Sequence, residues 1–177
     1  MTPLRRINLI VIHCTASRNG RPKSLEAIRY EHMHRDPPFS DIGYHYVIQN
    51  DGAVMVGRPE ESVGAHAAVK GHRYNQTSIG ICLVGGLLQD GSANANSGQF
   101  RQAQWDSLRI AVQDLLERYP GARVVGHRDL SPDLDGDGQV EPHEWIKLCP
   151  TFDVSQWLDS GMVPDEANVL RAGGGTR

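Results

Sequence analysis

Three cysteines, Cys14, Cys82 and Cys149, are too few and too far apart to suggest a disulfide framework. No apolar run approaches the roughly 18 residues of a membrane-spanning helix, so no membrane insertion is expected. The apolar stretch nearest the start, Leu9 to Ile12, is too short for a signal-peptide core. The expectation is therefore a chain made in the cytoplasm without a signal peptide. Excess positive charge is missing too. A formal net charge of −3 at pH 7 argues against a nucleic-acid partner drawn by a basic surface. Repeats and a second apolar core are also absent. What remains, 177 residues at 39% hydrophobic and 22% charged, suits one soluble domain with one sizeable core, expected as a monomer.

Hydrophobic patterning divides the chain into short strands and a few helices. Ile7 to Cys14 (INLIVIHC) reads as a buried strand. Ser24 is placed to cap a helix from about Leu25 to Arg35, ended by Pro37 and Pro38. Asn50-Asp51-Gly52 between two apolar runs predicts a hairpin within Tyr44 to Val56. Ser78 to Val84 is a second buried strand. Trp105, Leu108, Val112, Leu115 and Leu116 recur at helical spacing within Phe100 to Tyr119. Arg123 to Gly126 predicts a short strand and Asp153 to Leu158 a last short helix. The fold class expected is α/β, one domain with a central mixed sheet flanked by helices. Residues 1–160 form the domain, and 161–177 a flexible C-terminal tail.

Eight histidines are the informative excess, because neutral imidazole is the commonest protein ligand for zinc. His13 follows LIVI and His127 follows RVVG, so both close a strand. Cys149 precedes Pro150. Two imidazoles and one thiolate make a recognised catalytic zinc set that leaves a fourth position open. The spacing is not a compact zinc-finger pattern, and on spacing alone two polar strand-end histidines and a buried cysteine are an equally open reading. His32 and His34 lie two apart on a helix and point to different faces. His66, in Val63-Gly64-Ala65-His66, is a candidate for the substrate groove, and Asn75 is a second candidate substrate contact. Cys14 and Cys82 read as buried strand thiols without a catalytic role.

Six blocks in order, IVIHCTAS, DIGYHYVI with NDG, VGAHA, SIGICLVGG, VVGHRDLSP and CPTFDV, resemble the phage-lysozyme type of N-acetylmuramoyl-L-alanine amidase. That family shares its fold with peptidoglycan recognition proteins. The resemblance runs from about Leu4 to Leu158. It implies a zinc ion in an open groove, held by His13, His127 and Cys149. It implies catalytic roles for Tyr44 and Lys147, and a peptidoglycan or muropeptide substrate cut between N-acetylmuramic acid and L-alanine. Zinc would supply an activated water and a polarised carbonyl, Lys147 would stabilise the oxyanion, and Tyr44 would orient the water or relay a proton. An endolysin acting on the cell wall after release is the leading expectation. A cytosolic enzyme trimming recycled muropeptides, or a non-catalytic recognition module, is the alternative; Cys149 and Lys147 favour catalysis.

Between His127 and Cys149 lies an acidic insertion, Asp133 to Glu144, that fits the twelve-residue calcium loop of an EF-hand. Asp133, Asp135 and Asp137 take positions 1, 3 and 5, and Gly138 the turn at 6. Gln139 offers its carbonyl at 7, and Glu144 the bidentate ligand at 12. Pro132 argues against the entering helix, while a short exit helix through Trp145 is expected. The loop is read as a structural calcium site supporting a catalytic zinc.

Overall fold

The structure is a computed structural model and describes residues 5–171. Its centre is a five-stranded sheet. β1 (Leu9–Cys14) is followed by a two-residue strand, β2 (Ser17–Arg18), and then by β3 (Tyr46–Ile48), β4 (Val54–Val56), β5 (Ser78–Leu83), a two-residue β6 (Gly86–Leu87) and β7 (Arg123–Gly126). The sheet order is β4-β3-β5-β1-β7. All neighbours pair in parallel except the β3–β4 hairpin, which makes the sheet mixed as expected. The Asn50-Asp51-Gly52 turn closes that hairpin, with Gly52 at a φ of 87° that a side chain would resist.

Pleating explains where the core lies. Along β1, Ile10, Ile12 and Cys14 face one side, where they pack with Trp105, Leu108 and Val112 of α3 (Gln102–Arg118) and Val154 and Trp157 of α4 (Val154–Asp159). Leu9 and Val11 face the other side, against Ala67, Val69 and Leu130. α1 (Leu25–Met33) packs Leu25 and Ile28 on Val47 and Cys82 of that second face. Ser24 caps α1 as its position foretold, accepting the Ala27 N–H at 3.1 Å. Both faces of β1 and β5 are thus covered, and every residue of each is buried. Among the described residues no helix is long and apolar enough to cross a membrane.

One local expectation fails, and some small elements were not foreseen. The exit helix after the acidic loop does not form, and residues 142–144 make only a turn. The one-turn α2 (Tyr74–Thr77) and the small β2–β6 pair carry too few residues to show in a hydrophobic pattern. The segment after Gly161, expected as a flexible tail, is hydrogen-bonded to the domain as far as Leu170. Leu170 donates to the Phe100 carbonyl and Phe100 to the Asn168 carbonyl, while the buried Asn168 side chain donates to the Gly98 carbonyl at 2.7 Å. Its polarity hid this anchoring, because the ties are hydrogen bonds rather than an apolar face. Residues 172–177 of the expected tail lie outside the described residues.

Candidate metal centre and groove

Two parallel strands end side by side. Ile12 of β1 is in register with Gly126 of β7, so His13 and His127 emerge together at the carboxyl edge of the sheet, where open α/β sheets bind ligands. The His127 N–H donates to the Ile12 carbonyl at 3.1 Å and fixes that alignment. Their rings lie 4.7 Å apart between centroids. Cys149 arrives from the far end of the acidic loop. Its approach is held by the Arg128 N–H on the Cys149 carbonyl at 2.6 Å, and by Gly126, where a Cβ would lie 2.9 Å from Pro150 Cδ. One ligand atom from each of His13, His127 and Cys149 falls within 4.8 Å of the others.

The chemistry of this triad suits a divalent cation. His127 Nε2 is buried and has no hydrogen-bond partner among the described residues, an arrangement that leaves a buried polar atom uncompensated unless something binds it. Cys149 Sγ lies 3.7 Å from His13 Nδ1 and accepts the Cys14 N–H at 3.4 Å. Burial, reinforced by His127, His66 and Lys147, holds the His13 imidazolium far out of reach at neutral pH. Burial and the Lys147 charge bring His127 down to about 4. Both imidazoles therefore present lone pairs, the form a metal requires. The adjoining Cys14 thiol, and then burial, push the Cys149 thiol up; a bound cation would reverse that by stabilising the thiolate.

The triad opens into a groove of about 600 Å³. Tyr44 and Lys147 line it, as do His32, Arg35, Phe39 and Ala68. The Tyr44 ring stands 5.1 Å from His13 and 5.2 Å from His32. Burial raises its hydroxyl pKa, so it stays protonated. Lys147 is exposed on the groove. His32, set aside on the helix pattern, is a wall residue, and its Nδ1 accepts the Gly43 N–H at 2.9 Å. Arg35 stacks 4.4 Å over Phe39 at the rim.

The two candidate substrate contacts differ in position. His66 also borders the groove, but it is 6% exposed and sits behind His13, with Nδ1 2.9 Å from His13 Nε2. Asn75 is not among the groove residues. Its Oδ1 accepts the His66 and Ala67 N–H groups at 2.9 and 2.8 Å, pinning the loop that carries His66. Sequence position alone cannot distinguish a side chain facing substrate from one facing the ligand behind it. Cys14 and Cys82 are buried as expected.

In the acidic loop the Asp133, Asp135 and Asp137 carboxylates converge within 4.8 Å. Asp133 accepts the Gly136 and Gly138 N–H groups at 2.6 and 2.8 Å. Glu144 is buried and accepts from Leu134, Asp135 and Glu141, and the Glu141 and Leu134 N–H groups hold its carboxyl below the usual range.

Comparisons with known proteins bear on the chain and its fold. The family described as N-acetylmuramoyl-L-alanine amidase matches residues 3–144, stopping short of Lys147 and Cys149. The endolysin of Escherichia phage T7 is 38% identical over 85% of this chain and 84% of its own length. That of Klebsiella phage KP32 is 35% identical over 89% of each chain. Among solved structures, the endolysin N-acetylmuramoyl-L-alanine amidase LysCS of Clostridium intestinale superposes with a TM-score of 0.64 at 27% identity, covering 90% of this chain and 86% of that one.

Proposed function

The chain belongs to the N-acetylmuramoyl-L-alanine amidase family, and on that basis we propose how its groove performs the hydrolysis. It is an amidase of bacterial peptidoglycan, cutting between N-acetylmuramic acid and L-alanine, with phage endolysins as its relatives. The observation that carries the metal assignment is the convergence of His13, His127 and Cys149 within 4.8 Å beside an unpartnered buried Nε2. These three residues hold one zinc ion. When bound, zinc supplies an activated water and polarises the amide carbonyl. The chain's own groups do the rest. Neutral His13 and His127 keep their lone pairs at physiological pH. Lys147, whose charge reaches both imidazoles, stabilises negative charge developing on the carbonyl oxygen. Tyr44 keeps its proton and donates a hydrogen bond beside His13. The groove takes the glycan and its stem peptide. The catalytic unit runs over residues 1–160 and acts as a monomer on the cell wall.

Mass spectrometry of digested sacculi tests the bond assignment. New L-alanine amino termini with intact glycan strands are expected; cleavage within the glycan would overturn it. Cys149→Ser tests the metal assignment. Loss of zinc and of lysis is expected, because a thiolate ligand is removed, whereas full activity with stoichiometric zinc would refute it.

A second ion is supported by the acidic loop. Asp133, Asp135 and Asp137, with the Gln139 carbonyl and Glu144, hold calcium, and the loop thereby fixes the segment that delivers Lys147 and Cys149. Three converging carboxylates repel one another without a cation. Added calcium is expected to raise the melting temperature of the wild type, but not of Asp133→Ala or Glu144→Ala, at a fixed buffered free zinc level. Equal melting with and without calcium in the wild type would reduce the loop to an acidic surface turn.

A further inference from the structure

A chain of hydrogen bonds runs from the metal triad into the fold, and its protons can be counted. Ser78 Oγ lies 2.6 Å from the Tyr74 carbonyl. A carbonyl only accepts, so the single hydroxyl proton of Ser78 points there. Towards His66 Nε2, 3.3 Å away, Ser78 Oγ must then act as acceptor. His66 therefore carries its proton on Nε2 and offers a lone pair at Nδ1. That lone pair faces His13 Nε2 at 2.9 Å, so His13 donates from Nε2. With its one proton spent there, His13 is left with a lone pair at Nδ1, the atom 3.7 Å from Cys149 Sγ. Both rings are buried, at 1% and 6% exposure, and among the described residues neither has a carboxylate hydrogen-bond partner.

The surrounding sequence keeps this ring in place. A Cβ at Gly80 would lie 2.7 Å from His66 Cγ, and one at Gly64 would lie 2.5 Å from His66 Cδ2. The two glycines make the slot into which the imidazole fits. Asn75 Oδ1 accepts the backbone N–H groups on both sides of the His66 Cα and so clamps the residue. Nothing in this arrangement requires substrate.

We infer that His66 is a positioning residue: the Tyr74–Ser78–His66 relay sets the tautomer of His13 and aims its Nδ1 lone pair at the metal. The inference rests on the reading that His13 is a zinc ligand. Outer partners of this kind orient ligating histidines, and their loss costs about 10–100-fold in metal affinity.

The test is zinc affinity by chelator competition, with circular dichroism as the check on folding. His66→Phe keeps an aromatic ring and removes the acceptor, and is expected to weaken zinc by about 10–100-fold. His66→Asn restores an acceptor oxygen near the Nδ1 position and is expected to recover most of that loss. Ser78→Ala, which frees His66 to take its other tautomer, is expected to weaken zinc in the same direction by a smaller factor. In wild-type protein with ¹⁵N-labelled histidine, His66 is expected as the Nε2–H tautomer. Unchanged zinc affinity in both His66→Phe and Ser78→Ala would overturn the relay. So would equal losses in His66→Phe and His66→Asn, which mark packing alone, or a His66 proton on Nδ1. Failure of the wild type to bind zinc would instead overturn the metal assignment itself.

Discussion

Histidine, cysteine, lysine and tyrosine side chains in one groove divide their labour by where each is held. The proposed ligands His13, His127 and Cys149 are fixed by strand ends and by the Arg128 N–H; Lys147 and Tyr44 only face the space they enclose. Their loss should therefore read out differently. Lys147→Ala and Tyr44→Phe are expected to keep one zinc per chain and to lower kcat by at least about tenfold each, since each acts on charge or protons at the transition state. An unchanged turnover in either would remove that residue from the chemistry. The convergence of His13, His127 and Cys149 was legible in the sequence because they lie in ordered blocks and chemistry restricts the donor types. The sequence left the orientation of His66 and Asn75 open for a physical reason. His66 lies in a loop and Asn75 in the one-turn α2, and which way each side chain turns depends on partners outside its own segment, here His13 and Ser78 for His66 and the Ala67 backbone for Asn75. The glycines at 64 and 80 were the available sign, since both abut the His66 ring.

At the level of elements, period and capping gave strands and helices to within a few residues, as with β5 and the α1 cap at Ser24. What pattern missed were pieces held by hydrogen bonds. The C-terminal segment is the clearest. Asn168 gives its side-chain N–H to the Gly98 carbonyl, and its own carbonyl accepts from Phe100 N–H and Trp105 Nε1. Asn168→Ala strands the Gly98 carbonyl in a buried place, at a cost of about 1–2 kcal/mol. At this chain length that corresponds to a fall in melting temperature of roughly 2–8 °C. Zinc stoichiometry should be retained, because the segment supplies no ligand. A melting temperature equal to the wild type would mean that the segment is loosely attached in solution, as its composition first suggested.

For the molecule as a whole, the groove and its support concentrate neutral histidines in the interior, and this sets its response to acid. Burial brings His45 and His127 down to about 4 and takes His13 and His66 well below the ordinary value. In the unfolded chain each titrates near 6.5. The sign follows from proton uptake: between pH 6.5 and 4 the unfolded chain binds protons that the folded chain refuses, so stability falls as pH falls. Above 6.5 neither state binds them, and the full contribution is present. A shift from 6.5 to about 4 makes His45 and His127 worth roughly 3 kcal/mol each across that window. Glu60 acts in a lower window. Arg118, Tyr119 and Tyr46 hold it to about 2 against burial, so its share is lost only below the ordinary carboxylate range. Denaturant titrations of metal-free protein should therefore show unfolding free energy dropping steadily from pH 6.5 towards 4, before most carboxylates protonate. The zinc-loaded protein should start higher and fall more steeply, because protons also compete for His13 and His127. A metal-free stability that stays level between pH 6.5 and 5 would mean that these rings take up protons in the folded state, and the buried, neutral imidazoles on which the metal reading depends would be wrong.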